Sequence, residues 1–293
     1  MTAPFTADDK TAGAGTAENA AKSGVAAILA KDSDEAIAKA KQLLSVLPAN
    51  NLETAGNDYY MENDAAVSAD LKGIELISSV ADKESVIELY KQFGTSAVTA
   101  IGSLNWRTAG FVATNNGAKL TADDSAKIAR FVTLCDAYSI PVVTFVDSEG
   151  FEKSSAAELA GSIRDSAKLA QAYASATTAK IAVVTGKAYG SAYVALASTA
   201  AGSDFTFAWE GAVIAPTTPE AAVVFLNGVS EDNAKQAQEY ADNEADAFTA
   251  AANGYVDRVI TAEDTKSALT SAIEATSSKR VVTPAKKHVN FVY

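Results

Sequence analysis

The amino-acid sequence predicts an α/β fold. Short β-branched or apolar runs alternate with segments whose apolar residues recur at helical spacing, which is typical of parallel strands joined by crossover helices. The 293 residues are 48% apolar and 20% charged, so the chain can bury a sizeable core and is not disordered as a whole. The sequence shows no internal repeat and, after its N-terminal segment, no linker that would divide it into further domains.

The first predicted elements are an arm and a helix. Residues 1–24 lack apolar periodicity, so they are expected to form a mobile N-terminal arm, followed by a single domain over residues 25–293. A helix is predicted from Ser33 onward, with Asp32 or Ser33 capping its first turn. Pro48 is expected to end this helix, because proline disfavours helical backbone in the residue before it.

Strands and helices then alternate along the rest of the chain. Thr121 and Asp124 form a capping-box pattern at the start of a helix whose apolar face carries Cys135, so this cysteine is predicted to be a core thiol. The predicted elements are, in order, a surface connection over 50–70, a helix over 83–93, strands 97–101 and 110–113, helix 123–138, strand 142–146, helix 156–174, strands 181–185 and 204–209, two alanine-rich helices, strand 255–260 and helix 262–275.

Charge and composition exclude several classes of function. The net charge of −12 would repel nucleic acid and acidic membrane surfaces. The single cysteine cannot form an internal disulfide, and no export signal or apolar membrane span is recognisable, so a cytoplasmic protein is expected. The single histidine, His288, lies five residues from the C-terminus, which disfavours a His-rich metal site and a Ser-His-Asp centre, so no metal site is expected.

Two predicted strands run directly into turns that open a helix. The first strand is followed by residues 147–151 and the second by residues 186–192, and both turns contain glycine and other small residues. Free amides at a helix N-terminus carry partial positive charge, so two such turns side by side can hold an oxyanion. Small residues there can also let a helix pack closely on a sheet, and spacing alone leaves both interpretations open.

Blocks of residues along the chain carry a family resemblance. One block is Lys187-Ala188-Tyr189-Gly190, and the full set covers residues 23–26, 43–53, 129–137, 140–147, 163–169, 187–190, 207–209, 219–220, 254–257 and 287–290. In this order the blocks resemble the carboxyltransferase subunits of biotin-dependent acyl-CoA carboxylases and decarboxylases, members of the crotonase superfamily. The resemblance implies a crotonase-like (ClpP/crotonase) fold, a spiral of ββα units.

The resemblance also implies a function and a set of partners. Family chains usually carry two crotonase-like halves, and this chain resembles only the second, C-terminal half, which holds biotin. The implied function is the biotin-side subunit of an assembly that moves carboxylate between biotin and an acyl-CoA or 2-oxo acid. The implied partners are a separate acyl-CoA-binding carboxyltransferase chain and a biotin carrier protein in a homo- or hetero-oligomer, and a membrane decarboxylase complex stays open. Biotin is expected on the carrier, with no cofactor bound covalently.

Site residues follow from the family by position. The backbone amides of Ser191 and Ala192 would form an oxyanion pocket for the biotin ureido oxygen, so no side-chain acid is required. Lys187 can neutralise a carboxylate of biotin or substrate, or it can form a structural ion pair. Four more residues are expected around the biotin: Gly150, Phe151, Gly190 and Tyr193.

Five loops depart from the family pattern. The family expects glycine where Ser191 stands, Pro-Gly where Glu149 and Gly150 stand, and arginine where Gly186 stands. A carboxylate at Glu149 could repel a developing negative charge, face solvent, or act as a general base. The other two altered loops are residues 153–157, where the family is glycine-rich, and residues 217–221, where the family has Met-Gly-Pro-Glu-Gly.

These departures keep two alternative functions open. The first is a non-catalytic scaffold paralogue of a carboxyltransferase subunit, which the altered loops favour. The second is a stand-alone crotonase-type acyl-CoA hydrolase or isomerase. Against the second alternative, no second carboxylate stands in either turn at the position where such enzymes place an acid or base pair.

Overall fold

A computed structural model describes residues 14–51, 53, 61–114 and 119–282 of the chain. Three parts of the sequence-based predictions lie outside these residues: the first 13 residues of the predicted arm, residues 52 and 54–60 of the polar connection, and the C-terminal segment with His288. None of the helices in the described segments combines the length and the apolar character that a bilayer span requires.

An eight-stranded sheet forms the centre of the described structure. Its order is β1-β2-β3-β4-β5-β6-β8, and β7 pairs with β5 off this path. The first three strands are antiparallel, and every later pairing is parallel. The strands are β1 Ile87–Leu89, β2 Ala97–Leu104, β3 Arg107–Thr114, β4 Val142–Ser148, β5 Lys180–Tyr189, β6 Phe205–Trp209, β7 Val213–Ala215 and β8 Arg258–Ile260.

Helices connect the strands, and their capping residues fit the sequence pattern. Asp32 accepts a hydrogen bond from the Glu35 amide at 2.8 Å, and Thr121 and Asp124 form the predicted capping box. The helices are α1 Ala17–Lys22, α2 Ser33–Val46, α3 Gly73–Val80, α4 Ala122–Ala137, α5 Ser155–Leu159, α6 Ser162–Ser175, α7 Gly190–Leu196, α8 Pro219–Asn227, α9 Asn233–Asn243, α10 Ala247–Ala252 and α11 Thr265–Ala275, with a 3-10 turn at Thr199–Ala201.

The helix predicted over residues 83–93 is wrong. Glu84 and Tyr90 have positive φ angles of 62° and 56°, and between them β1 pairs antiparallel with β2. The side chains of Ile87 and Leu89 are both buried, which is the two-residue period of a strand. Short apolar runs fit both periods, and here pairing with a neighbouring strand decides the outcome.

Three further predictions differ in detail. The helix predicted over 156–174 is divided into α5 and α6, because Gly161 adopts φ 97° between them. Three alanine-rich helices, α8 to α10, lie where two were predicted. The described end of the predicted arm is helical, and the Arg130 side chain donates a hydrogen bond to the Gly24 carbonyl at 2.8 Å. The division of the chain at residue 24 stays a prediction.

Two apolar clusters cover the two faces of the sheet. Alternate residues of β4 belong to different clusters, with Val142 and Val146 on one face and Val143 and Phe145 on the other. Cys135 is fully buried in the first cluster, as predicted, and burial raises the pKa of its thiol. Both faces are therefore packed, as expected for a parallel sheet with crossover helices.

We expect Gly110→Ala to destabilise the protein. An added Cβ at Gly110 would lie 2.5 Å from the Cys135 sulfur and 3.2 Å from the Phe131 ring. Overpacking of a core typically costs about 1–3 kcal/mol in the free energy of unfolding. Urea unfolding followed by circular dichroism measures this free energy.

Two further variants serve as controls for this prediction. Gly211→Ala should change the free energy by less than about 0.5 kcal/mol, since an added Cβ meets no described atom within 4 Å. Combining Gly110→Ala with Cys135→Ala should give less destabilisation than the sum of the single variants, because removal of the sulfur relieves the contact. Strictly additive effects would contradict the packing described above.

Candidate active site

The carboxyl ends of β4 and β5 meet at one edge of the sheet. The strands are in register up to Val146 and Val184, and Ser148 pairs with Ala188 beyond a bulge. A groove of about 1100 Å³ opens at this edge, lined also by β7, the start of α8 and α9. Its charged lining residues are Lys72, Asp147, Glu149, Lys187, Glu220 and Asp242.

The carboxylate of Asp147 occupies the bulge between the strands. Its side chain is 8% exposed, and Oδ1 accepts a hydrogen bond from the Lys187 amide at 2.9 Å. The Lys72 ammonium contacts Oδ2 at 3.2 Å, from the residue that precedes α3. A Cβ at Gly186 would lie 2.5 Å from Oδ1, so glycine leaves the room that this carboxylate takes. The carboxylate is fixed on both sides.

Glu149 pairs with Lys187 at the groove. The two charged groups are 2.7 Å apart, and their side chains are 35% and 48% exposed. The hydrogen bond that Lys187 donates to Glu149 raises the pKa of Lys187, against a smaller opposing effect of burial. For Lys187 the sequence leaves open a carboxylate ligand or a structural ion pair, and the structure has the ion pair. For Glu149 the structure has a partly exposed carboxylate paired with a lysine, a partner that the sequence does not indicate.

The turn into α7 contains the two predicted amides. Ser191 and Ala192 are the second and third residues of α7, and no side chain in the described part of the chain caps this helix. Amides in the first turn of a helix have no acceptor within the helix. Ser191 is exposed and Ala192 is buried. Gly190 opens the turn with φ 56°, a backbone conformation that glycine adopts without strain.

The structure brings Gly150 close to this turn. A Cβ at Gly150 would lie 3.8 Å from the Tyr189 carbonyl oxygen. However, the Gly150 amide donates to Ser148 Oγ at 3.2 Å, and its carbonyl accepts from the Leu120 amide at 2.9 Å. Phe151 is partly buried and forms a bridge with Leu120. The two turns are thus neighbours, but the Gly150 amide already has an acceptor.

Tyr193 lies in the core rather than along the groove. It is buried in the first apolar cluster, and its hydroxyl donates to the Tyr255 carbonyl at 2.7 Å. Burial raises the pKa of this hydroxyl to about 12. None of the six predicted site residues is among the groove-lining residues, but two lining residues are adjacent to them in sequence, Glu149 before Gly150 and Tyr189 before Gly190. Their role in holding biotin stays a prediction.

Sequence reasoning missed the contacts made by Lys72 and Asp147. The two residues are 75 positions apart, and Lys72 lies just after the predicted surface connection over 50–70, where the sequence predicts no element. The signal that could have found Asp147 is an acidic residue at the end of an apolar strand, followed by a second acidic residue at Glu149. Its partner could not be identified without the packing of α3.

Comparisons with known proteins relate the whole chain to one family. The profile of the carboxyl transferase domain matches residues 2–291. The methylmalonyl-CoA carboxyltransferase 12S subunit of Propionibacterium freudenreichii subsp. shermanii is 35% identical over 300 aligned residues, covering 94% of this chain and 57% of that relative. The methylmalonyl-CoA decarboxylase subunit alpha of Veillonella parvula is 34% identical, covering 92% of this chain and 56% of that relative.

A solved structure extends the similarity to the fold. The crystal structure of the transcarboxylase 12S, described as a hexamer assembly with methylmalonyl-coenzyme A and methylmalonic acid bound, superposes with a TM-score of 0.86 at 35% identity. The match covers 94% of this chain and 58% of that chain, so the present chain spans little more than half the length of these relatives. The predicted crotonase-like α/β fold is confirmed.

We expect Lys72→Met to lower the stability of the protein. Without the ammonium, the Asp147 carboxylate keeps one backbone donor but has no neutralising charge in a place where water has little access. Because Lys72 is itself partly exposed, the expected loss is about 1–2 kcal/mol, below the value for a fully buried pair. Urea unfolding measures this loss.

Lys91→Met is a matched control, since it removes the same charge from a pair with Glu88 at 3.6 Å whose lysine is highly exposed. Its effect should be less than about 0.5 kcal/mol. Equal effects of the two substitutions would show that Lys72 does not hold Asp147 in place.

Proposed function

The chain belongs to the carboxyl transferase domain family, and on this basis we propose that it is the biotin-side subunit of a carboxyltransferase or decarboxylase assembly. In this proposal it moves carboxylate between biotin on a separate carrier protein and an acyl-CoA or 2-oxo acid. The observation that carries the proposal is similarity over nearly the whole chain to about half of each relative, two of which are named for transfer or loss of the methylmalonyl-CoA carboxyl group.

The start of α7 fits the oxyanion chemistry that we propose. Its first-turn amides point away from the helix body and carry partial positive charge, which suits an oxygen that gains negative charge. Pro216 comes close to Gly190, where a Cβ would lie 3.0 Å from the proline carbonyl oxygen, so a larger residue there would disturb the turn. The neighbouring groove offers Val213 and Ala237 as apolar contacts.

In the proposed mechanism the chain supplies positioning and electrostatics. Bound biotin supplies the group that carries the carboxylate. The amides of Ser191 and Ala192 would stabilise the ureido oxygen as negative charge develops, and donors of this kind are most effective where they are fixed before the reaction. Glu149 is neutralised by Lys187, which reduces the repulsion that an unpaired carboxylate would exert there.

An exposed apolar surface supports the proposed assembly. Phe225 on α8 is 88% exposed, and Val224, Leu226 and Val229 beside it are also exposed. Contiguous apolar surface of this kind marks protein interfaces. We propose that a separate acyl-CoA-binding chain, further copies of this chain, or both cover it, and that the assembly is cytoplasmic. The hexamer described for the related 12S structure is consistent with an oligomer.

We expect Ala192→Pro to lower carboxyl transfer about 100-fold in the assembled complex, since one lost oxyanion donor has an effect of about this size. Proline removes the amide hydrogen without changing charge, and the first turn of a helix tolerates it. The assay combines this chain with its acyl-CoA partner and a biotinylated carrier, and follows labelled carboxylate.

Ala17→Pro is a control for proline in the first turn of a helix, because Ala17 is the first residue of α1, is exposed and is not among the groove-lining residues. Its transfer rate should stay within about 3-fold of the unaltered protein, as for most surface substitutions. Undiminished transfer by a folded, partner-bound Ala192→Pro protein would contradict the catalytic role and favour a scaffold.

We expect the purified chain to be larger than a monomer. Light scattering should give a mass above the 30.2 kDa of one chain, because the apolar surface of α8 is unfavourable in water. Phe225→Ser should shift the protein toward the monomer, whereas Phe248→Ser, at an exposed phenylalanine on α10, should not. A single soluble 30.2 kDa species of the unaltered chain would refute the expectation.

A further inference from the structure

The ion pair between Glu149 and Lys187 lies where the proposed function needs a ligand. Both residues line the groove, and Lys187 belongs to the end of β5, three residues before α7 begins. The backbone of Lys187 is fixed, because its amide donates to Asp147 at 2.9 Å. Its ammonium is at the end of a flexible stem and is half exposed. The backbone of Lys187 is therefore held in place, while its ammonium group can move.

The two lysines of the groove, Lys72 and Lys187, form ion pairs that differ in their exposure to solvent. Lys72 contacts a carboxylate that is almost fully buried and that also accepts a backbone hydrogen bond. Lys187 contacts Glu149, whose side chain is about one-third exposed and accessible to solvent. Exposed pairs alter equilibrium constants by only about 1.4- to 5-fold, so water or another anion can compete for such a lysine. Lys187 is the cation that can change partners.

We propose that Lys187 binds the carboxylate group of the ligand in this groove, and that Glu149 is an internal counter-ion which this carboxylate must displace. The proposal rests on the proposed function and names the ligand chemistry and a specificity-determining residue of the same site. The carboxylate is the group under transfer, carried either on a biotin nitrogen or on the carbon chain of an acyl-CoA.

The charge balance of the groove gives Glu149 its effect. The lining contains four carboxylates and two lysines, so the groove has two excess negative charges, of which Glu149 contributes one. A free small anion meets this negative lining and an occupied lysine. A ligand held by further contacts to the groove and to α7 can displace Glu149, because those contacts offset the loss of the ion pair. Glu149 thus selects against anions that make no other contact.

Malonate is a suitable probe for the carboxylate contact. We expect Glu149→Gln to bind malonate about 1.4- to 5-fold more tightly than the unaltered chain, the range that applies to exposed ion pairs. Amide chemical shifts of Gly186 and Lys187 in nuclear magnetic resonance titrations at constant ionic strength report binding in the groove. Lys187→Met should lose most of this binding, and Glu149→Gln should not restore it in the double variant.

Glu18→Gln is the matched control for charge. It removes the same negative charge from another glutamate-lysine pair at 2.7 Å, on α1 and outside the groove lining. Equal malonate affinities of Glu149→Gln and Glu18→Gln would overturn the proposal, because the gain would then be an effect of net charge. So would malonate binding by the double variant that equals binding by Glu149→Gln. Lys187→Gln replaces Lys187→Met if the latter does not fold.

Two further arms of the titration distinguish the source of the carboxylate. Biotinamide, which has no carboxylate, is added to the Glu149→Gln protein together with malonate. Competition between biotinamide and malonate assigns the carboxylate to biotin, and simultaneous binding assigns it to the acyl-CoA. In both cases Lys187 is the residue that binds the carboxylate. No saturable shift at Lys187 with malonate in either Glu149→Gln or the unaltered chain overturns the assignment. These titrations use the chain alone, so they fail independently of the transfer assay.

Discussion

The Asp147 carboxylate in the bulge between β4 and β5 is the interaction on which the groove depends. Beyond Val146 and Val184, β5 has two more residues than β4 before Ser148 and Ala188 pair again. Asp147 fills the space left by this mismatch and accepts the hydrogen bond of the Lys187 amide. The Asp147 side chain therefore accepts the hydrogen bond that a backbone carbonyl would accept in regular strand pairing. The bulge also changes the direction of the strand end, as bulges near functional sites often do.

Several features of the site follow from this one carboxylate. A buried carboxylate is stabilised by a neighbouring positive charge, and Lys72 supplies this charge from the residue before α3. Position 186 is glycine because a Cβ there would overlap the carboxylate. With the backbone of Lys187 fixed, the lysine side chain faces Glu149 across the strand ends. The chain then continues directly into α7, so the position of the proposed oxyanion donors is set by the same bulge.

The sequence predicts most of the sheet and its crossover helices, because local chemistry and burial agree there. Helix α4 is an example: its capping box and its buried Cys135 are both indicated by the sequence. The strands before and after it, β3 and β4, are also predicted, so local sequence and burial agree. The prediction for residues 83–93 is wrong because their five apolar residues fit the helical period, whereas the edge strand β1 buries only two of its side chains. Pairing with β2, which lies outside the predicted helix, gives this segment its strand conformation.

The candidate site is less predictable than the fold. The two turns could be placed side by side from the parallel order of β4 and β5, and the structure has them there. The ion pairs could not, because Lys72 meets Asp147 across 75 residues and Glu149 meets Lys187 across 38. The place of Tyr193 in the biotin pocket stays a prediction from the family pattern. The sequence does not indicate that this side chain packs in the core, where its hydroxyl donates to the Tyr255 carbonyl.

We infer that biotin acts at the edge formed by β4, β5 and α7. An electron cryo-microscopy structure of the assembly, purified from its native cell by affinity capture of this chain, tests this inference. We expect a biotinylated carrier whose ureido oxygen lies about 2.7–3.1 Å from the amide nitrogens of Ser191 and Ala192, the range expected for oxyanion donors. Biotin that lies at another surface of this chain, or on another subunit altogether, would refute the inference.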